Sequence, residues 1–490
     1  MERRIFGIET EFGCLVRDPA VGTAEEVVER VKDCAFYEER LGLIDLHARD
    51  YAFEPARAGG FLRNGGRLYI DAVGSHEEYA TPECVDLSDI VRYDRAGRVI
   101  LQMLLKRLGY QDVVSFHNNA IDHFGGHTFG CHENYLVELD DHFFSEALKS
   151  LLPFLITRQI FAGAGRVGGH RLTRPSSKGN ILTLGEHEVD YVWVSNFYGV
   201  EIDPTVNFQL SQRADHIVKT VSSRVRFNRA IINPKWENYY SIGNLHRLHI
   251  LFGESNMSEY ATMLKVGTTS IVLELVEEGL VPSGVELAEP LETLRCISRD
   301  PSLRWVVHLR NGRTIRAVDL QRRYLSVAKE HFAGRDEQTD RVLKEWERIL
   351  NDLERDPLST ADRLDWSAKL KLYQTYIDSE KISWQDDIMQ SLDLEYHNVD
   401  SDNGIYFGLE QAGGIKRLVT DESITDAVTS PPSDTRAFAR GQIVSMLLQR
   451  KATHYVIDWD AVYLDRNDYL ELRDPFYTYE KEALHFLRKT

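Results

Sequence analysis

The residues able to do chemistry come in alternating stripes. In "GGRLYIDAVGSHEEYATPEC", residues 65 to 84, Arg67, Tyr69 and Asp71 share one side of an extended segment and Leu68 and Ile70 the other, because successive side chains of a strand point to opposite faces. Near the start, Glu9 and Glu11 fall on one face with Gly7 and Gly13, while Phe6, Ile8, Phe12 and Cys14 fall on the other. Glu77 and Glu78 follow soon after Asp71. His132, Glu133 and Asn134 occupy a third segment bounded by apolar residues, and Arg247 and His249 alternate with Leu248 and Ile250 in a fourth. Each residue alone has a plainer reading: a solvated strand face for Glu9 and Glu11, a rim phenol for Tyr69, a core imidazole for His249, salt bridges for Arg213 and Arg247, a core aromatic for Trp459. The stripes together are weighted toward Glu, Asp, His and Arg with few lysines, which is a ligand inventory. Carboxylate-rich sites suit Mg²⁺ or Mn²⁺, with histidine tilting slightly toward Mn²⁺, and arginine is the preferred partner of phosphate oxygens.

Such stripes need strands to carry them and helices to cover their apolar backs. Period-two alternation predicts a strand within residues 1 to 20, and further strands fit 129 to 139, 207 to 212 and 245 to 255. Helical spacing predicts helices over 24 to 33, 94 to 108, 261 to 279, 317 to 332 and 340 to 357. Between the first helix and Arg67 the chain reads as irregular, rich in Arg, Ala and Gly. Strands early and helices late give an α+β layout. The "SDNG" and "QAGG" punctuation places a boundary near 412, dividing a large domain (1–412) from a small one (413–490) with a helix at 436 to 452 and short strands around "HYVIDWDAVYL". Residues 174 to 204 read as an inserted arm. "GAGRVG" (163 to 168) has the G-x-G-x-x-G spacing, but it follows the helical "LLPFLITRQIF" instead of a strand, which argues against a dinucleotide fold. With no G-x-x-x-x-G-K-[ST] loop and no H-E-x-x-H pair, any bound phosphate must be held by side chains and metal.

The chain of 490 residues carries a formal charge of -18, which disfavours nonspecific nucleic-acid binding. Its length allows a large domain plus a smaller one, or two or three comparable domains. Five scattered cysteines, never in a C-x-x-C pair, argue against a disulfide framework or structural zinc. No run of eighteen apolar residues occurs and "MERRIFGIETEFG" lacks a signal-peptide core, so a cytoplasmic protein with no membrane partner is expected.

In order from residue 3 to about 475, "RRIFGIETEFG", "FLRNGGRLYIDAVGSHEEYATPEC", "GCHENYL", "LLPFLITRQ", "LSQRADHI", "RLHILFGESNMSE", "TMLKVGT" and "PPSDTRA" resemble the proteasome accessory factor A family. That family contains the ligase of the prokaryotic ubiquitin-like protein Pup and the related Pup deamidase and depupylase. The resemblance implies a glutamine synthetase-like, carboxylate-amine ligase fold, in which a curved, mostly antiparallel sheet cradles ATP beside a small C-terminal domain. It also implies ATP and Mg²⁺ as cofactors. Carried over by motif, Glu9, Tyr69 and Glu78 resemble magnesium ligands, and Arg67 and Thr81 resemble ATP contacts. Asp71 matches the catalytic aspartate, and Trp459 an ATP-contacting tryptophan. His132 and His249 look like further residues of the nucleotide–metal site, with Arg213, Arg247 and Arg436 as binders of phosphate or carboxylate.

In the ligase branch, ATP activates the side-chain carboxylate of a C-terminal Glu on Pup or a Pup-like modifier, and a lysine of a protein substrate then attacks. In the deamidase and depupylase branch, the same aspartate serves attack on a C-terminal Gln or an isopeptide with nucleotide not consumed. "GSHEEYAT", "GCHENYL", "SNMSE", "TMLKVGT" and "RDPF" resemble the ligase, while "ISRDPSLR", "LERDP", "LDWSAKLKL" and "DYAFEPARAGGF" resemble the deamidase. The active-site segments favour the ligase. A noncatalytic nucleotide-binding scaffold is the alternative of another class. The chain departs from the family at "IINPKWENYY" (231 to 240), in the long 174 to 204 arm, and by one extra residue in "VGSHEEYAT".

Overall fold

The computed structural model describes residues 3–49, 54–71, 76–123, 127–138, 148–175, 181–183, 199–222, 229–233, 244–464 and 468–489. Most of the 174–204 arm, residues 234 to 240 and the "AVGS" at 72 to 75 therefore lie outside the described residues. Ten strands make the principal sheet: β1 (Phe6–Val16), β2 (Gly42–Ile44), β3 (Gly59–Leu62), β4 (Arg67–Asp71), β5 (His76–Ala80), β6 (Val114–His117), β7 (Cys131–Glu138), β8 (Lys219–Val221), β9 (Ala230–Asn233) and β10 (Leu245–Ile250). Their order is β8–β9–β10–β7–β1–β5–β4–β3–β2, with β6 paired to the far end of β1. Only β8 and β9 run parallel among the described strands.

Helices cover one face of this sheet. α1 (Ala24–Asp33), α2 (Leu87–Leu108) and α3 (Glu259–Glu277) bring Val28, Val31, Ile90 and Leu264 into one core with Phe6, Ile8, Leu68 and Tyr79. Each large apolar side chain so buried contributes about 2 kcal/mol before entropy is counted. α1 begins where the sequence places it, because Thr23 and Glu26 form a reciprocal capping box. α2 starts earlier than the expected 94, because the Asp86 carboxylate accepts from Ser88 N and Asp89 N, and Leu87, Ile90 and Val91 extend the apolar stripe. None of the described helices is long and apolar enough to cross a membrane.

The stretch before Arg67, expected to be irregular, instead supplies β2 and β3. Its glycines permit close strand approach: a Cβ on Gly60 would lie 2.0 Å from the Leu43 carbonyl oxygen, and one on Gly42 2.2 Å from that of Phe61. The "GAGRVG" segment does not open a nucleotide loop. Arg166–Val167 pairs with Phe208–Gln209, and the amides of Ala164, Gly165 and Val167 are spent on Glu254, the Leu210 carbonyl and Asp393.

A second core joins Leu43 and Phe61 to Ile443, Val444, Leu447 and Leu472 of the C-terminal part. Its helix α4 (Ala437–Gln449) lies over β2 and β3. Val419, Ile424, Ala427 and Val428 pack into the large core.

Candidate active site

The face of the sheet turned away from α1, α2 and α3 collects the polar stripes by register. Glu9 pairs with Ala80 of β5 on one side and His132 of β7 on the other; Glu11 pairs with Glu78, which pairs with Tyr69 of β4; Asp71 pairs with His76, and His249 of β10 with Asn134. Directly opposed residues share a face, so two clusters form a few residues apart. Glu9, His132 and His249 offer ligand atoms within 4.8 Å of one another, and so do Glu11, Asp71 and Glu78. Glu77 and Glu133, which the sequence places among the stripes, point to the covered face. There Glu133 is bound by Arg158 at 2.5 Å and by the Tyr135 hydroxyl at 2.6 Å.

Around Glu9, His132 Nδ1 and His249 Nε2 each lie 3.4 Å from Oε2, while Asn134 Nδ2 donates to Oε1 at 3.0 Å and Arg247 Nη1 stands 3.3 Å away. Burial raises the Glu9 pKa, but His249, His132 and Arg247 outweigh it and hold the carboxylate well below its ordinary range. Burial pushes His249 down to about 3, leaving a neutral imidazole with one ring-nitrogen lone pair for a cation. The second cluster is the opposite case. Burial and the neighbouring charges of Glu11, Glu9 and Asp71 push Glu78 well above the ordinary carboxylate value. Tyr69 is raised in the same way, by burial, Glu78 and Glu9. Three carboxyls packed this closely do not all ionise without a cation, and an oxygen-only set suits Mg²⁺. Both clusters therefore fit a divalent metal, one through oxygen alone and one through nitrogen and oxygen.

Beside the clusters opens a cleft of about 670 Å³, lined among others by Glu9, Arg67, Thr81, Arg247, Arg436 and Trp459. Arg67 lies over the Tyr69 ring at 4.3 Å and is ion-paired with Asp45 at 2.8 Å and with Glu54. Thr81 holds β1 in place, its hydroxyl accepting from Ile8 N at 3.1 Å. Trp459, half-buried, packs edge to face with Phe61, the ring centres 5.0 Å apart. Arg436 reaches the cleft wall, but its Nε donates to Glu83 at 2.6 Å and its Nη1 to the carbonyls of Leu472 and Arg473. Arg213 stands apart from the cleft, donating to the Phe129 carbonyl at 2.9 Å. Three neighbours received no assigned role from the sequence, although Glu11 was among its stripes. Glu11 and its partner His76, 2.8 Å apart, were readable from the shared parity with Glu9 and with Glu78. Asp45 carried no signal, because it lies in the stretch read as irregular.

A mostly antiparallel sheet with helices on one face and acidic and histidine clusters on the other, against which the C-terminal part packs, makes this an α+β protein. Residues 4–463 match the family model described as Pup-ligase protein. The chain is 37% identical over 496 residues to the Pup–protein ligase of Gordonia bronchialis and 37% identical to that of Mycolicibacterium smegmatis, with 97% of both chains covered in each case. It is similar to the solved complex between the prokaryotic ubiquitin-like protein Pup and its ligase PafA, with a TM-score of 0.80 at 30% identity, covering 100% of this chain and 91% of that one. It is also similar to PafA solved in complex with ADP, with a TM-score of 0.73 at 32% identity, covering 88% and 89%. The chain belongs to the Pup-ligase family.

Proposed function

We propose that this protein is a cytoplasmic ATP- and Mg²⁺-dependent ligase that joins the side-chain carboxylate of the C-terminal Glu of Pup, or a Pup-like modifier, to lysines of protein substrates. The observation that carries this reading is whole-length similarity to Pup–protein ligases together with two cation-fitting clusters, one of which contains Asp71. Glu9, Tyr69 and Glu78 are proposed to hold magnesium, with His132 and His249 beside Glu9 and with Glu11 beside Glu78. Bound there, the metal supplies charge neutralisation at transferring phosphoryl oxygens. Arg67 and Arg247 are proposed to bind phosphate, Arg67 exchanging its present carboxylate partners for the nucleotide, and Trp459 and Thr81 line the cleft proposed to take it. The γ-phosphoryl group of ATP passes to the modifier's glutamate carboxylate, leaving ADP and an acyl-phosphate. The lysine amine then attacks the acyl carbon, phosphate leaves, and Asp71 accepts the amine proton.

Reconstitution tests the proposal. A Glu-ended modifier, a lysine-bearing protein, ATP and Mg²⁺ should yield a conjugate with about one ADP per bond, as acyl-phosphate chemistry requires. Ammonia release from a Gln-ended modifier, or conjugate cleavage with no stoichiometric ADP, would establish the deamidase and depupylase activity instead. Nucleotide binding with no modifier chemistry would leave only a scaffold.

A further inference from the structure

At the seam between the two parts of the chain the Glu83 carboxylate meets two guanidiniums, those of Arg436 at 2.6 Å and of Arg440. Glu83, just beyond β5, is 9% exposed, and Arg440 on α4 is 0% exposed. Arg440 uses all five of its N–H donors: Nε and Nη2 donate to the Gly65 carbonyl at 3.0 and 2.7 Å, Nη1 to Glu83 Oε1 at 3.1 Å and to the Trp459 carbonyl at 2.7 Å, and Nη2 again to Glu83 Oε2. Its guanidinium also lies 4.8 Å from the Trp459 ring centre, against the same indole that faces the cleft. The backbones meet closely here. A Cβ on Gly441 of α4 would stand 2.4 Å from the Arg63 carbonyl oxygen, and Gly65, at φ +81°, sits against the Ala437 carbonyl. Thr435 adds a hydroxyl bond to the Glu83 carbonyl at 2.9 Å. One side chain thus grips the large sheet, the helix of the small part and both the backbone and the ring of Trp459.

We propose that Glu83, acting through Arg440, is a positioning residue for Trp459, so that nucleotide affinity and the docking of the C-terminal part on the sheet are one coupled equilibrium. Glu83 lines the cleft and also pairs with Arg436, but the role proposed for it is the one exerted through Arg440. Glu83 fixes the guanidinium with a charged bond from the sheet, and the guanidinium fixes the indole as the small-domain wall of the cleft. Without Glu83 the buried Arg440 loses its counter-charge and draws toward water, taking the Trp459 backbone bond with it. The inference rests on the reading of this cleft as the nucleotide site.

The test is a double-mutant cycle on ADP and ATP binding, read by calorimetry on the full chain without modifier. Glu83→Gln should weaken nucleotide binding roughly tenfold or more, and Arg440→Lys, which keeps the charge but loses the fork and the stacking, should do the same. In a Trp459→Leu background, neither substitution should weaken binding further. Ligation at saturating ATP should keep kcat within about threefold, a KM-against-kcat split that general loss of structure does not produce. Unchanged affinity in both variants, additive losses in the Trp459→Leu background, or equal falls in kcat and kcat/KM would each overturn the positioning role. If Glu83→Gln fails to fold, the Arg440→Lys arm decides the matter by itself. Failure of the unsubstituted chain to bind any nucleotide would overturn the assignment of the cleft, and this inference with it.

Discussion

Glu78 and Glu83 lie five residues apart on one segment of chain, both nearly inaccessible to solvent, and their acidities move in opposite directions. At Glu78, burial and the charges of Glu11, Glu9 and Asp71 raise the pKa well above 4.5. At Glu83, burial acts the same way but Arg440 and Arg436 override it and bring the value down to about 2. The difference is the presence of a cation built into the protein. The seam carries its own neutralising guanidiniums, whereas the cluster of Glu11, Asp71 and Glu78 packs three carboxyls together and holds Glu78 above its ordinary pKa. Stability is invested at one place and withheld at the other, which is the arrangement expected where a site must take up metal and polyphosphate.

The largest test of this contrast is at Asp71. Asp71→Asn keeps size and polarity but removes basicity, so modifier transfer should fall by roughly two to four orders of magnitude while nucleotide still binds. Single-turnover conjugate formation alongside ATP titration measures both. A parallel loss of ATP affinity would move Asp71 from proton transfer to metal binding, sharing the cation with Glu11 and Glu78. Next in size, Glu9→Ala removes the carboxylate that His132 and His249 surround, and the Mg²⁺ needed for half-maximal turnover should rise at least tenfold, on the order of what lost metal-site residues cost. Unchanged Mg²⁺ dependence would remove Glu9 from the site. The fold should tolerate the change, because Glu9 faces the cleft and not the helix-covered core.

The seam gives a third prediction through acid. Since the folded pKa of Glu83 lies below its ordinary 4.5, its contribution is fully present above that value and is lost as pH falls toward about 2. That drop corresponds to about 3 kcal/mol. Urea unfolding at a series of pH values should therefore show a loss in this window that Glu83→Gln lacks. A common slope in both proteins would mean the pair contributes nothing to acid stability. The smallest effect has the opposite sign. Glu78 binds its proton more tightly when folded, so without metal its cluster weakens the fold as pH rises past 4.5, and Glu78→Gln should stabilise the metal-free protein by about 1 kcal/mol, one or two degrees in midpoint. Mg²⁺ should erase that gain and release protons on binding to the unsubstituted chain, which calorimetry in buffers of different ionisation enthalpy detects. Equal midpoints with no proton release would break the comparison with the seam.

Much of this architecture was written locally. Alternation over Phe6–Val16 and Arg67–Asp71 announces strands with one wet face, since parity is a property of the backbone alone. The Thr23–Glu26 box marks the start of α1 for the same reason: its partners are three residues apart. The family segments placed Glu9, Asp71 and Glu78 in one set. Local pattern misled where its cause was distant. Gly42, Gly59 and Gly60 look like loop composition until β2, β3 and β4 are seen to approach each other, and Glu133 looks like a ligand until Arg158 is found behind it.

By itself, then, the sequence determined which residues share a strand face, where the early helix begins and which family's motifs the chain carries, because each of these depends on spacing along the backbone. Only the tertiary structure decided which stripes become neighbours. Register across β4, β5, β1, β7 and β10 turns separate acids and histidines into two clusters, and contacts spanning hundreds of residues decide which carboxylates are neutralised. Glu83 meets Arg440 across 357 positions of chain, and Glu9 meets Arg247 across 238. Charge balance is a property of space, so whether a buried glutamate serves as a clasp or as a ligand is settled by what folds against it.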